Sequence, residues 1–407
     1  VSTGVSQPAG NRLRQLRARL GPARDWKDKT RGWLDRVRDG LEPAEAALTL
    51  RRVYQVWILA LLLKALGAGW DVAWHFKWLR DDFAPPHLVN LAGDGIMLLL
   101  VLFHFYTRFG VDRLALRLMA TGTAVFILSA PVDVLNHKIN GLDITAWSVT
   151  HFGLFVGTAI AIAGVIRGWG LHSAAQPQRL LMLGLYWFFF LDNVLFPNQQ
   201  QEYGILSIRA WERGAPYAEP SLLAFAAKQI GRPVDTAAVL HFALPIPSWV
   251  YPLWITVAGG LVLVLARRHL GWRWTATALA AAYVTWRCVL WPILVVATFP
   301  PSTVPFLVIG AGFAVDLAYL AAAAWPVQAL LGGVLVTASV YLGGYLQSTV
   351  NAAPPIAYRS APVAGIVLII GWAALGFLLG RTAERAPATA LSPPVDDRGP
   401  PGPSPAR

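Results

Sequence analysis

Six residues of this 407-residue chain have the types and spacing of metal ligands. Asp71 and His75 are four apart, and His87 follows twelve residues later. Asp133 and His137 repeat the four-residue spacing, and His151 follows fourteen residues later. An acid and a histidine at i and i+4 lie on one face of a helix. A carboxylate oxygen with two imidazole nitrogens is a workable ligand set for copper, iron or zinc. Taken alone, the first set also fits a helix-end ion pair of Asp71 with His75 and a His87 that merely opens the next helix. Its repetition one hairpin later favours the metal, and ionisable groups at a membrane border are costly unless they are used.

The elements that must position these residues are membrane helices. The chain is 56% hydrophobic and 14% charged. Apolar runs long enough to span a bilayer lie near 52–72, 86–107, 114–132, 145–166, 179–196, 247–266, 274–296, 304–324, 327–346 and 361–380. The expected fold is therefore an all-α, polytopic helical membrane protein with about ten transmembrane helices. Eighteen Trp and eleven Tyr supply interfacial anchors. The single cysteine, Cys288, excludes an intrachain disulfide framework and a Cys-rich metal site. A net charge of +12 does not indicate nucleic acid here, because the basic residues gather in the N-terminal segment and in short loops.

These patterns divide the chain into four parts. Residues 1–50 are a basic segment, read as a solvated cytoplasmic tail in which stretches such as 30–40 could lie on anionic lipid. No apolar stretch follows it at signal-peptide distance, so no cleaved signal is read. Residues 51–175 form a four-helix region with both ligand sets, and 176–384 a six-helix region. Residues 385–407 are Pro-rich and expected to be disordered. With the N-terminus in the cytoplasm, Arg108, Arg113, Arg117, Arg167, Arg179, Arg267, Arg268 and Arg273 fall on one side, as the positive-inside rule requires. That places the protein in the cell (inner) membrane, with both termini cytoplasmic and both ligand sets at the outer face. Segment 197–246 is then external, and its length suits covering a site or docking a partner.

Other polar residues fall inside the spans. Asp94 lies seven residues after His87, on the same helix face, where it could support an imidazole or simply bond to a neighbouring helix. Asp192 and Asn193 end the fifth span on the outer side, within reach of the ligand sets. His104 reads as a packed histidine near the inner interface. Arg287 and Asp316 are expensive in apolar spans, and pairing with each other is the first explanation.

The first set, Asp71-x-x-Trp74-His75 followed by Arg80-Asp81-Asp82-Phe83-x-Pro85-x-His87, closely resembles the metal-site signature of the C subunit of particulate methane and ammonia monooxygenases. It lacks one residue of that signature, within the acidic run. Asp133, His137 and His151 resemble the second copper position of the same subunit, with Asp in place of Asn. The resemblance covers roughly 65–160. A shorter stretch, Pro301-Ser302-Thr303 with Asp316, Trp325 and Ala329-Leu330-Leu331-Gly332-Gly333, is similar to part of the A subunit. No stretch looks like the B subunit with its soluble copper-binding domains.

The resemblance implies a copper-dependent membrane monooxygenase subunit that oxidises a small apolar substrate or ammonia with O2. Asp71, His75 and His87 would be the catalytic copper ligands, and Asp133, His137 and His151 would hold a second copper. Asp81, Asp82 and Asp94 would bond to the imidazoles from behind and orient them. It further implies a partner subunit carrying the external copper-binding domain, and a homotrimeric assembly. Residue types alone leave zinc and iron open. They also leave an alternative without oxygenase activity: copper or zinc handling, transport, or oxidase assembly. A transporter needs ligands that continue through the membrane. The inner halves of the first four spans offer little beyond Lys64 and His104.

Overall fold

The computed structural model describes residues 23–79, 83–140, 145–172 and 177–384. The described residues are helical throughout, with turns between helices and no strand. The protein is a polytopic helical membrane protein, with nine helices among the described residues long and apolar enough to cross a bilayer. A basic helix, α1 (Ala23–Asp39), comes first. Then come α2 (Pro43–His75), α3 (Pro85–Thr107), α4 (Arg113–Asn140), α5 (Val149–Gly170) and α6 (Pro177–Leu195). After a 3-10 turn follow α7 (Gln199–Glu212), α8 (Pro220–Gln229) and α9 (Thr236–Ala243). The chain continues through α10 (Val250–Leu270), α11 (Thr275–Val296), α12 (Leu307–Ala321), α13 (Trp325–Val350) and α14 (Ala361–Glu384).

Two expectations about the spans change. The eighth span is only the fifteen residues of α12, about 22 Å against a hydrocarbon core of about 30 Å. Pro300, Pro301 and Pro305 keep the residues before it out of the helix. The fifth span does not end near residue 196. Its helix runs on to Glu212, through the 3-10 turn at Pro197. The polar run 199–202 is buried there rather than solvated, and Gln200 and Glu202 find partners inside the bundle. Glu202 pairs with Arg287 at 2.9 Å and accepts a hydrogen bond from the Tyr251 hydroxyl at 3.1 Å.

Arg287 and Asp316 therefore do not pair with each other. Asp316 instead lies 3.1 Å from Arg267. Its carboxylate also accepts from the Thr277 backbone N–H at 2.8 Å and hydroxyl at 2.7 Å, at the start of α11. A carboxylate there satisfies first-turn N–H groups and meets the positive end of the helix dipole.

Helices α2 with α3, and α4 with α5, form two closely packed hairpins. A Cβ on Gly67 would lie 2.8 Å from the Asn90 nitrogen, and one on Gly122 would lie 2.2 Å from the Ala161 nitrogen. Only glycine permits these crossings, the usual device of membrane helix pairs. Each brings the end of one helix beside the start of the next. A second hydrophobic cluster covers this end of the bundle: Phe76 of the first hairpin packs with Tyr203, Leu222, Phe242 and Ala243 of segment 197–246. At the opposite end α1 lies against α3, with Trp33 stacked on Phe103 at 5.8 Å.

Candidate metal centre

The last turn of α2 carries Asp71 and His75 on one face. Pro85 and Pro86 occupy the first positions of α3, where the missing N–H costs nothing, and they set the start of the helix that presents His87. Asp71 Oδ1 lies 3.2 Å from His75 Nε2 and 2.8 Å from His87 Nε2, and the two imidazole nitrogens are 3.4 Å apart. All three residues are partly buried.

The second hairpin repeats this arrangement. Pro131 interrupts the hydrogen-bond ladder of α4 just before Asp133. The Ser148 side chain caps α5 by accepting from the His151 N–H. Asp133 Oδ1 lies 3.4 Å from His137 Nε2 and 3.5 Å from His151 Nε2. Asp133 and His137 are buried. His151 Nδ1 lies 2.8 Å from the Thr145 carbonyl, which can only accept. Nδ1 therefore carries the proton, and the Nε2 of a neutral ring keeps its lone pair toward Asp133.

Both sets fit a metal. In each, one oxygen and two nitrogens come within 4.8 Å of one another, and bonds of about 2.0–2.2 Å to one ion hold ligand atoms at such spacing. The structure brings together all six residues expected as ligands. Asp81 and Asp82 lie outside the described residues. Of the two readings of Asp94, support for an imidazole or a bond to a neighbouring helix, the structure shows the second: it bonds to Lys64 of α2 at 2.7 Å, and both side chains are 7% exposed. His104 is packed as expected: it accepts from Trp57 Nε1 at 3.1 Å and donates to the Phe109 carbonyl at 2.9 Å.

A cavity of about 270 Å3 joins the two sets, lined by Asp71, His75 and His87 and by Asp133 and His151. Asp192 and Asn193 also line it. Three contributors were not legible as site residues. Thr150 donates to Asp133 at 2.7 Å. Gln200 accepts from the Ala146 N–H at 2.8 Å and from the Thr145 hydroxyl at 3.1 Å, fixing the segment whose carbonyl orients His151. Lys64 lines the cavity from α2. The one sequence signal for Thr150 is its place next to His151; for Gln200 it is the run of amides at 198–201, whose burial no pattern announces.

Fold and site together define a membrane-embedded helical bundle with two Asp–His–His sets facing one cavity. No family model, no curated protein and no solved structure matches the chain.

Proposed function

We propose that this chain is the copper-binding membrane subunit of a particulate-type monooxygenase, or a divergent relative, oxidising a small apolar molecule with O2. The observation that carries the reading is that both ligand sets open onto a single, mainly apolar cavity. Asp71, His75 and His87 would hold one copper, and Asp133, His137 and His151 a second. Bound copper would supply the redox centre at which dioxygen is reduced beside the substrate. The Thr145 carbonyl and the Thr150 hydroxyl orient the second set, while Phe155, Phe196 and Phe242 give the cavity apolar walls.

The polar groups nearer the other end of the first helices also favour an oxygenase over a transporter. Lys64 is taken by Asp94 and Asn90, and His104 by Trp57 and Phe109, so neither extends a chain of ligands across the bilayer. The reading includes a partner subunit with an external copper domain, a homotrimer, and a cell-membrane location with cytoplasmic termini. The test is metal content and copper EPR on protein in nanodiscs. Wild type should show copper with nitrogen hyperfine structure, and His75→Ala and His137→Ala should each lose one site's share. Zinc, or no metal retained by wild type, would overturn the reading and favour metal handling or a structural role.

A further inference from the structure

The cavity has a floor as well as a metal-bearing end. Lys64 precedes Asp71 by seven residues and Phe126 precedes Asp133 by seven, so each lies two turns, about 10 Å, along the helix on the same face. Across this floor the Lys64 ammonium donates to Asp94 at 2.7 Å and to Asn90 at 3.0 Å. It also stands 3.6 Å from the centre of the Phe126 ring. Its charge and donor directions are therefore occupied, and the floor offers no hold for a carboxylate or phosphate head. Between floor and ligand sets the walls include Ala65, Ala68 and Ala130, and Leu61 and Ile162 complete the floor.

Size then selects the occupant. Apolar cavities of about 150 Å3 enclose a benzene ring. At 270 Å3 the space is too large to hold one methane-sized molecule in place and corresponds to about eight to ten carbons. Leu91 lines the cavity and is 50% exposed, so the cavity wall reaches the outer surface of the bundle at α3. We infer that the cavity binds one neutral medium-chain hydrocarbon, reached from the bilayer past Leu91 and held with one end beside the two ligand sets. Its role as substrate rests on the oxygenase reading; its binding does not.

The experiment is photolabelling of the full chain in nanodiscs, metal-loaded and metal-free, with an octane carrying a diazirine, read by peptide mass spectrometry. Label is expected on peptides containing Leu61, Ala65 and Phe126. Excess n-octane should suppress it and equimolar ethane should not. Ala68→Phe and Ala130→Phe, which fill the space, should each lower incorporation by about tenfold. Leu128→Phe, at a position 66% exposed on the outside of α4, should leave it unchanged. Where a filling variant fails to fold, the competition in wild type decides. Label spread evenly over outward-facing helix surfaces, or equal competition by ethane, would overturn the inference. Octane binding in protein that holds no copper would sustain it while removing the oxygenase reading. A copper signal without octane competition would do the reverse.

Discussion

Asp133 is held by more than its two histidines, and that makes single side chains around it worth testing. Thr150→Val keeps the shape of the side chain and removes only the hydroxyl that donates to Asp133. Loss of such a supporting bond typically weakens metal binding by about 10–100-fold. Titration with copper should show that loss in the second set and none in the first; equal loss in both, or in neither, would show that Thr150 does not support Asp133. The Lys64–Asp94 pair makes a different case. Lys64→Met leaves Asp94 buried without its cation, which costs about 3–5 kcal/mol. Adding Asp94→Leu removes the stranded charge and should restore most of the thermal stability in detergent. The ligand spacing was legible along the chain because i and i+4 on a helix are neighbours in space. The partner of Asp94 was not, since Lys64 lies thirty residues away and only the α2–α3 crossing brings the two together.

Helices α7 to α9 close over the ligand sets, and a small clamp ties them down. The Glu219 N–H donates to the Lys77 carbonyl at 2.9 Å, and its carboxylate accepts from the Leu79 N–H at 2.9 Å, just past His75. The Leu79 N–H, and then the Ser221 hydroxyl, hold the Glu219 carboxyl below its usual range. A lowered carboxyl stabilises the clamp fully above the unfolded glutamate range, about pH 4.3. That contribution is lost as pH falls through the lower folded value. The protection factor of the Leu79 amide, its exchange rate relative to the intrinsic rate at the same pH, should therefore fall in acid, and Glu219→Gln should lower it at neutral pH; an unchanged protection factor in both would remove the clamp. In the second hairpin, a Cβ at Gly157 would come within 2.7 Å of the Phe126 nitrogen. Gly157→Leu should separate α4 from α5 and lose the metal of the second set before that of the first, as read by EPR. The hairpins themselves were readable from apolar run length and proline position. The continuation of the fifth span to Glu212 was not, because a polar run such as 199–202 reads as loop until Arg287 and Tyr251 are found to satisfy Glu202, and the Thr145 hydroxyl and Ala146 N–H to satisfy Gln200.

For the whole molecule, metal and fold should be linked. An ion bound only by the folded chain adds about 2.7 kcal/mol when its concentration is 100 times Kd. Copper should raise the melting temperature of the wild type in detergent, a chelator should reverse this, and a His75→Ala plus His137→Ala variant should show neither effect. The buried Glu202–Arg287 pair joins α7 to α11. Arg287→Met should lower stability by about 3–5 kcal/mol, more than Arg287→Met combined with Glu202→Gln. What the sequence determined by itself was the membrane class, nearly every span and the spacing of the two Asp–His–His sets. Bilayer thickness fixes how long an apolar run must be, and helix geometry fixes which neighbours share a face. Tertiary structure alone decided that the two ligand sets share one cavity, that segment 197–246 roofs it, and that the buried charges choose Glu202, Arg267 and Lys64 as partners. Those contacts join residues far apart in the chain, and a buried charge takes whichever opposite group the packing brings within reach.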